Sequence, residues 1–309
     1  MARFKFRILP SPRSLSVMAF FPILFFSGCK AQENRIVAET TTLQLVSDAY
    51  EFTEGPAVDG NGDVYFTDQP NDRILKWEAK TNTVSEWLSP SGRSNGLYMD
   101  QNGNLLACAD EKNELWQIAP DRSVTVLIDN YQGNTLGGPN DLWIAPDGNI
   151  YFTDPLYERP WWNHSAPQIS ERRVYFYNST TKTLQIAAEG GYQQPNGIIG
   201  SPDGKTLYIA DNDAKKTYAF TINGDGSITD RVLFAEMGSD GMTIDQNGNI
   251  YLTGDGVTVF DSDGKKLRHI PVPEKWTANV TFGGADRKTL FITAMDSVYT
   301  LEMLVAGAY

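Results

Sequence analysis

The sequence predicts an all-β fold, a six-bladed β-propeller with four-stranded blades. Three observations predict it. A strand, turn, strand unit recurs six times along the 309 residues, five of its turns contain Asn-Gly or Asp-Gly, and helical periodicity is nearly absent. Asn-Gly and Asp-Gly pairs favour tight hairpins because both residues accept a positive φ. The repeat therefore predicts one domain built from hairpins, with no linker.

A polar residue stands at the same place in every copy, eight residues before the turn glycine or its equivalent, Arg287. The intervals between successive polar residues are 41, 45, 56, 44 and 39 residues, which is the length of one propeller blade. We call these six positions the ring residues. They are Glu54, Asn95, Asn140, Asn196, Asp240 and Asn279.

The predicted propeller spans residues 41–309, and its two ends are expected to pair. Three strands, near 279–284, 289–294 and 297–304, are available for the last blade, one fewer than a blade needs. Residues 41–47 alternate as a strand and precede the first ring residue. We therefore expect this N-terminal strand to complete the last blade and close the ring.

The first 29 residues are typical of an export signal. Four basic residues precede an apolar run at 17–26 that is too short to span a bilayer. The ending Phe-Ser-Gly-Cys resembles a bacterial lipobox, which predicts lipidation at Cys29, with an ordinary signal peptide as the alternative. Residues 30–40 would then form a flexible tether. The prediction is an exported bacterial protein in the periplasm or on the cell surface, which meets the membrane only through its lipid anchor.

Charge limits the classes of partner. The formal net charge is −12, and it becomes more negative when the basic leader is removed. Nucleic acids and anionic membrane surfaces are poor partners for such a chain. We expect a monomer that acts on a small molecule.

In a propeller the first strand of each blade lines the central channel, so the ring residues should converge. Converging carboxylates and amides lose solvation and repel unless a positive charge lies among them. Oxygen ligands without Cys or His favour Ca²⁺, with Mg²⁺, Zn²⁺ or Mn²⁺ as alternatives. For Asn95 and Asn279 a second interpretation stays open, in which the side chain caps a turn.

Four motifs resemble one family, the gluconolactonase, senescence-marker-protein and luciferin-regenerating-enzyme-like propellers. They are Glu-Gly-Pro at 54–56, Gly-Gly-Pro-Asn-Asp with Phe-Thr-Asp-Pro within 137–155, Pro-Asn-Gly at 195–197 and Ser-Asp-Gly-Met at 239–242. The resemblance implies that Glu54, Asn196 and Asp240 bind a catalytic divalent cation. It implies that Asn140 is a further ligand or a substrate contact, with Asp141 beside it.

The implied reaction is hydrolysis of a lactone, most simply a sugar lactone. A cation would polarise the ring carbonyl, and Asp240 or Asp141 would act as general base, although Asp240 could equally be a ligand alone. Asn95 and Asn140 would orient substrate hydroxyls. The alternatives are a calcium-dependent esterase or phosphotriesterase, and a non-catalytic carbohydrate-binding lipoprotein. Gly138 stands where some family members carry an Arg, which makes gluconolactone itself a doubtful substrate.

The longest interval locates an insertion after Asp154, within residues 155–170. Adjacent tryptophans in a polar, Pro-rich loop suit the apolar face of a sugar ring, so the segment predicts a lid that selects substrate. One tryptophan could instead anchor the loop. The candidate substrate contacts in this segment are Glu158, Trp161, Trp162 and His164.

Overall fold

The computed structural model describes residues 36–162, 168–169, 171–188 and 190–309. The export signal, Cys29, His164 and most of the predicted tether lie outside the described residues. No helix within the described ranges is long and apolar enough to cross a bilayer.

The described residues form six four-stranded antiparallel sheets, which confirms the predicted propeller. Each sheet is one blade, and in five of the six the strands follow one another in space as they do in the chain. Blade 1 contains β2 (Thr53–Val58), β3 (Val64–Asp68), β4 (Arg73–Glu78) and β5 (Thr83–Leu88). Blade 2 contains β6 (Ser94–Met99), β7 (Leu105–Ala109), β8 (Glu114–Ile118) and β9 (Val124–Ile128). Blade 3 contains β10 (Leu142–Ile144), β11 (Ile150–Asp154), β12 (Arg173–Asn178) and β13 (Thr183–Ala188).

Blades 4 to 6 repeat the pattern. Blade 4 contains β14 (Pro195–Gly200), β15 (Thr206–Asp211), β16 (Lys216–Ile222) and β17 (Ile228–Ala235). Blade 5 contains β18 (Met242–Ile244), β19 (Ile250–Gly254), β20 (Gly256–Phe260) and β21 (Lys266–Ile270). Blade 6 contains β22 (Asn279–Gly283), β23 (Thr289–Ala294) and β24 (Ser297–Glu302). A single short 3-10 turn, Gln69–Asn71, is the helical element within the described ranges.

The two ends of the chain close the ring as predicted. The N-terminal strand β1 (Gln44–Ser47) pairs antiparallel with β24 and completes blade 6. The packed region also reaches further back than residue 41, because Ile36 and Val37 are buried against the apolar residues of blades 5 and 6. Ile36 and Val37, which fall in the predicted tether, are therefore part of the packed core.

The turns explain why the ring residues keep a fixed register. The turn position of the first five copies is a glycine with φ between 69° and 92°, and Arg287 takes φ 58° at the sixth. A positive φ at this position fixes the turn type and so the register of the two strands in each hairpin. The register in turn determines which residue of the inner strand lies at the start of the channel.

Glycine also allows the inner strands to approach each other closely. A Cβ placed on Gly96, at the start of β6, would lie 2.4 Å from the carbonyl oxygen of Asn140 and 2.5 Å from Asp141 Oδ1. The Gly96 amide donates to that carbonyl at 2.7 Å, so blades 2 and 3 are joined there by a backbone hydrogen bond. A side chain at this position would push the two strands apart.

We predict that Gly96→Ala lowers the free energy of unfolding by about 1–3 kcal/mol, because the added methyl group meets backbone atoms that have no room to move. The matched control is Gly60→Ala, where an added Cβ would meet nothing within 4 Å. Urea unfolding followed by circular dichroism measures both. Equal stability of the two variants would contradict the close packing of the inner strands.

Candidate functional site

The six ring residues stand where the innermost strands begin, around the central channel. Three of the six inner strands carry a bulge there, between Glu54 and Ala57 in β2, between Ser94 and Leu97 in β6, and between Pro195 and Ile198 in β14. A bulge leaves a residue outside the ladder and redirects its side chain. The ring residues with less than one tenth of their surface exposed are Glu54, Asn95, Asn140, Asn196 and Asn279, and Asp240 is partly buried.

The backbone at the ring is held by threonines on the second strands. Thr67 donates to the Asn95 carbonyl at 3.1 Å, which joins blade 1 to blade 2. Thr253 donates to the carbonyls of Gly241 and Ala278 at 2.9 and 2.8 Å, which joins blade 5 to blade 6. Each of these threonines is buried and occupies the same place in its Phe-Thr-Asp or equivalent unit. The ring is therefore fixed by hydrogen bonds that pass between blades.

One cluster of side chains joins three blades across the channel. The Asn279 amide nitrogen donates to Glu54 Oε2 at 3.1 Å and to Asp141 Oδ2 at 3.2 Å. Its amide oxygen accepts a bond from the Val280 backbone N–H at 2.8 Å. Register alone predicted an oxygen facing the axis at every ring position. Asn279 differs because two neighbouring carboxylates require a donor, so its amide nitrogen faces them instead.

A second cluster lies on blades 4 and 5. Asp240 Oδ1 accepts a hydrogen bond from the Asn196 amide at 2.6 Å, and Asp240 Oδ2 accepts one from the Trp276 indole at 2.5 Å. The same Asn196 amide nitrogen lies 3.1 Å from the Tyr157 hydroxyl. Both oxygens of Asp240 are thus held by neutral donors, which fixes the orientation of the carboxylate without cancelling its charge.

The acids of the channel hold their protons more tightly than exposed acids do. Burial raises the pKa of Glu54 well above its usual value, and the charges of Asp240 and Asp141 raise it further. Burial likewise raises the pKa of Asp141 well above its usual value. Burial raises the pKa of Asp240 to about 6, against the opposing effect of hydrogen bonds from Trp276 and Asn196. Deprotonation of all three acids would therefore place more negative charge in the channel than the neighbouring hydrogen-bond donors stabilise.

The oxygens that remain unpaired fit a hard cation. The amide oxygens of Asn95 and Asn196 are buried and have no hydrogen-bond donor within the described part of the chain. A buried acceptor without a donor costs about 1–3 kcal/mol, and a cation would relieve that cost. No three His, Cys, Asp or Glu side chains among the described residues are arranged to hold a metal ion by themselves. The ligand set that fits combines carboxylates with amide oxygens, which suits Ca²⁺.

The segment after Asp154 contacts the blades on either side of blade 3. In blade 2, Arg159 Nε donates to Asp110 Oδ2 at 2.8 Å, and the Trp162 indole donates to the Asp110 carbonyl at 2.6 Å. In blade 4, Tyr157 reaches Asn196 as described above. Trp161 lies beneath two guanidinium groups, while Glu158 is exposed. Trp162 thus anchors the segment, and Trp161 is only partly buried.

The absence of a side chain at Gly138 makes room for this anchor. A Cβ there would lie 3.0 Å from Asp110 Oδ1 and 3.0 Å from the Trp162 ring, at a φ of 119°. An arginine at this position would have to displace Trp162. The departure from the family pattern and the insertion are therefore parts of one local arrangement.

Sequence reasoning missed three side chains that touch the ring or its neighbours: Tyr157, Arg159 and Trp276. They belong to connections between strands, which do not follow the repeat. Trp276 lies three residues before Asn279, and only its closeness to a ring residue in the sequence could have indicated a contact with the site.

The fold and the site define a six-bladed propeller with an oxygen-rich, acidic channel mouth. The chain belongs to the SMP-30/Gluconolactonase/LRE-like family, whose model matches residues 52–296. It is 28% identical over 302 residues to a gluconolactonase from Zymomonas mobilis, covering 88% of this chain and 84% of that protein. It is 31% identical over 263 residues to a pentonolactonase from Haloferax volcanii, covering 82% and 84%. A gluconolactonase structure from Xanthomonas campestris superposes with a TM-score of 0.80 at 31% identity, covering 87% and 91%.

We predict that Asp141→Asn raises the free energy of unfolding of the metal-free protein at neutral pH by about 1–2 kcal/mol, because it removes a buried charge. An acid whose pKa is raised by folding destabilises the native state as pH rises from its unfolded value of about 4. The metal-free wild type should therefore lose stability between that pH and neutrality, and Asp141→Asn should lose less. The control is Asp48→Asn, at an exposed position.

Urea unfolding in EDTA across this pH range measures the difference. A wild-type protein whose stability rises with pH through the same range would contradict the description of these acids as uncompensated.

Proposed function

We propose that this chain is a lactonase-type hydrolase that uses a divalent cation, Ca²⁺ before Mg²⁺, Zn²⁺ or Mn²⁺, and opens a sugar lactone or related small lactone. One observation carries the proposal. The channel holds raised-pKa carboxylates beside unpaired amide oxygens, in a chain whose relatives are a gluconolactonase and a pentonolactonase. A cation bound there would supply Lewis-acid polarisation of the lactone carbonyl.

Glu54, Asn196, Asp240 and Asn140 are the residues that would hold the cation. The support from the structure is uneven among them. Asn196 offers a buried oxygen without a donor, and Glu54 and Asp240 offer charge. Asn95, assigned to substrate, offers the same kind of unpaired oxygen as Asn196 and is a further candidate ligand.

The hydrogen bonds favour different roles for the two aspartates. Asp240 receives side-chain hydrogen bonds on both oxygens, which suits a fixed ligand. Asp141 receives one side-chain hydrogen bond, from Asn279 to Oδ2, and its buried position makes it the stronger base when deprotonated. We therefore assign proton acceptance from the attacking water to Asp141, and orientation of the site to Asp240. Asn279 would keep Asp141 in place during this step.

The metal dependence is tested by removing the ion. We expect purified protein to lose turnover of a panel of aldonolactones in EDTA and to regain it on addition of Ca²⁺. Aryl esters and phosphotriesters belong in the same panel, because the esterase alternative would show itself there. Chelator-sensitive turnover of esters alone would replace the lactonase proposal with the esterase one, and no turnover of any compound would favour a binding protein.

The ligand set is tested by Glu54→Gln and Asp240→Asn. Each change removes one anionic oxygen, so we expect Ca²⁺ affinity to fall by about tenfold or more. Isothermal calorimetry measures the affinity, and circular dichroism checks the fold. The matched control is Glu51→Gln, an exposed glutamate three residues before Glu54. Unchanged Ca²⁺ affinity in both ring variants would place the ion elsewhere.

A further inference from the structure

The segment that covers the site carries one guanidinium that the proposed reaction does not use. Arg159 lies on residues 155–162, two residues after Tyr157, whose hydroxyl lies 3.1 Å from the ring residue Asn196. The Arg159 guanidinium carbon lies 5.4 Å from the centre of the Tyr157 ring. The Tyr157 side chain therefore contacts both the Arg159 guanidinium and a ring residue.

Several contacts fix the orientation of this guanidinium. Its Nε donates to Asp110 Oδ2 at 2.8 Å, and only 4% of the Asp110 side chain is exposed. Its carbon also lies 5.7 Å from the centre of the Trp161 ring, close enough for a cation–π contact. Asp110 is held in turn by the Gln69 amide at 3.0 Å. An arginine held in this way has lost much of its side-chain entropy before any ligand arrives.

The contact with Asp110 uses Nε, and within the described part of the chain no hydrogen bond engages the two terminal nitrogens of Arg159. The Arg159 side chain is 22% exposed, so solvent and ligands reach it. Two parallel N–H groups of a guanidinium match the two oxygens of a carboxylate. Arg93, the second guanidinium on Trp161, is committed differently, because its Nη1 donates to the Pro70 carbonyl at 2.7 Å.

The surrounding charges favour an anionic substrate group beside Arg159 over the same group beside the channel acids. Glu54, Asp141 and Asp240 lie at the centre of the mouth, so an anionic group on the substrate would be repelled there. Beside Arg159 the same group would be attracted. A substrate with an anionic end is thus oriented, with that end at Arg159 and the lactone carbonyl toward the ring.

We propose that Arg159 is a specificity-determining residue that binds a carboxylate on the substrate, so that the preferred substrates are lactones of sugar acids that carry a second carboxylate. This inference rests on the proposed lactonase function and names the substrate class of the same site. It assigns no bond-breaking step to Arg159.

The test compares a carboxylate-bearing lactone, glucarolactone, with a neutral one, gluconolactone, in the Ca²⁺-loaded full-length protein. We expect Arg159→Gln to lower kcat/KM for glucarolactone about ten- to a hundredfold, mostly through KM, as expected for loss of a charge-assisted bidentate contact. Turnover of gluconolactone should change less than about threefold, since that substrate has no group for Arg159 to bind.

Two further variants separate recognition from structure. Arg73→Gln breaks the equivalent pair in blade 1, where Arg73 Nη2 lies 2.8 Å from the buried Asp68, and it should leave the ratio of the two substrates unchanged. The double variant Asp110→Asn with Arg159→Gln replaces the ion pair by two amides and leaves no buried acid unpaired. It should show the same loss of glucarolactone preference as Arg159→Gln. An equal fall for both lactones, or no change for either, would overturn the proposal.

A binding measurement tests the role of Arg159 separately from the lactonase proposal. If the wild type hydrolyses neither lactone, the proposed function fails on that result alone. Because neither lactone would then be consumed, calorimetric titration with glucarolactone and with the neutral gluconolactone still tests Arg159. The wild type should bind glucarolactone more tightly, and Arg159→Gln should lose that difference. Equal affinity of the wild type for the two lactones would overturn the assignment of Arg159.

Discussion

The burial of several acids around one axis is the constraint on which the rest of the structure depends. Glu54, Asp141 and Asp240 come from three different blades, whose inner strands pack closely around the channel. Like charges in such a space must be relieved by protons, by hydrogen-bond donors or by a cation. Donors from Asn279 and Trp276 satisfy part of this requirement. The buried amide oxygens of Asn95 and Asn196 have no donor among the described residues, which therefore meet this requirement only in part.

The propeller tolerates these buried acids because its stability comes from apolar packing between neighbouring blades. Large buried side chains such as Trp143, Tyr151 and Phe282 pack between neighbouring sheets, and each contributes about 1.5–3 kcal/mol or more by leaving water. The ring itself is joined across blades by backbone and threonine hydrogen bonds. The acids are therefore held in an unfavourable place by a scaffold whose favourable contacts lie farther from the axis, as is common for functional sites.

The fold and the ring positions could be predicted from the sequence because one backbone feature repeats. The positive φ at each turn fixes the hairpin, and the hairpin fixes the residue that reaches the channel, even at Arg287, where no glycine is present. The orientation of Asn279 could not be predicted, since it depends on acids in two other blades. Tyr157, Arg159 and Trp276 lie in connections that follow no period, so spacing gave no indication of them. The packing of Ile36 and Val37 could not be predicted, because two apolar residues form too short a run to indicate a buried segment.

The ring residues follow the sequence repeat and the segment after Asp154 does not, which suggests that they have different roles in the site. Every ring residue is tied by a backbone or side-chain hydrogen bond to a neighbouring blade, so a change at one of them affects the contacts of another blade. The segment after Asp154 emerges from one blade and touches blade 2 through Asp110 and blade 4 through Asn196. Under the proposed function, the ring sets the chemistry and the loop of blade 3 sets which molecule is presented to it.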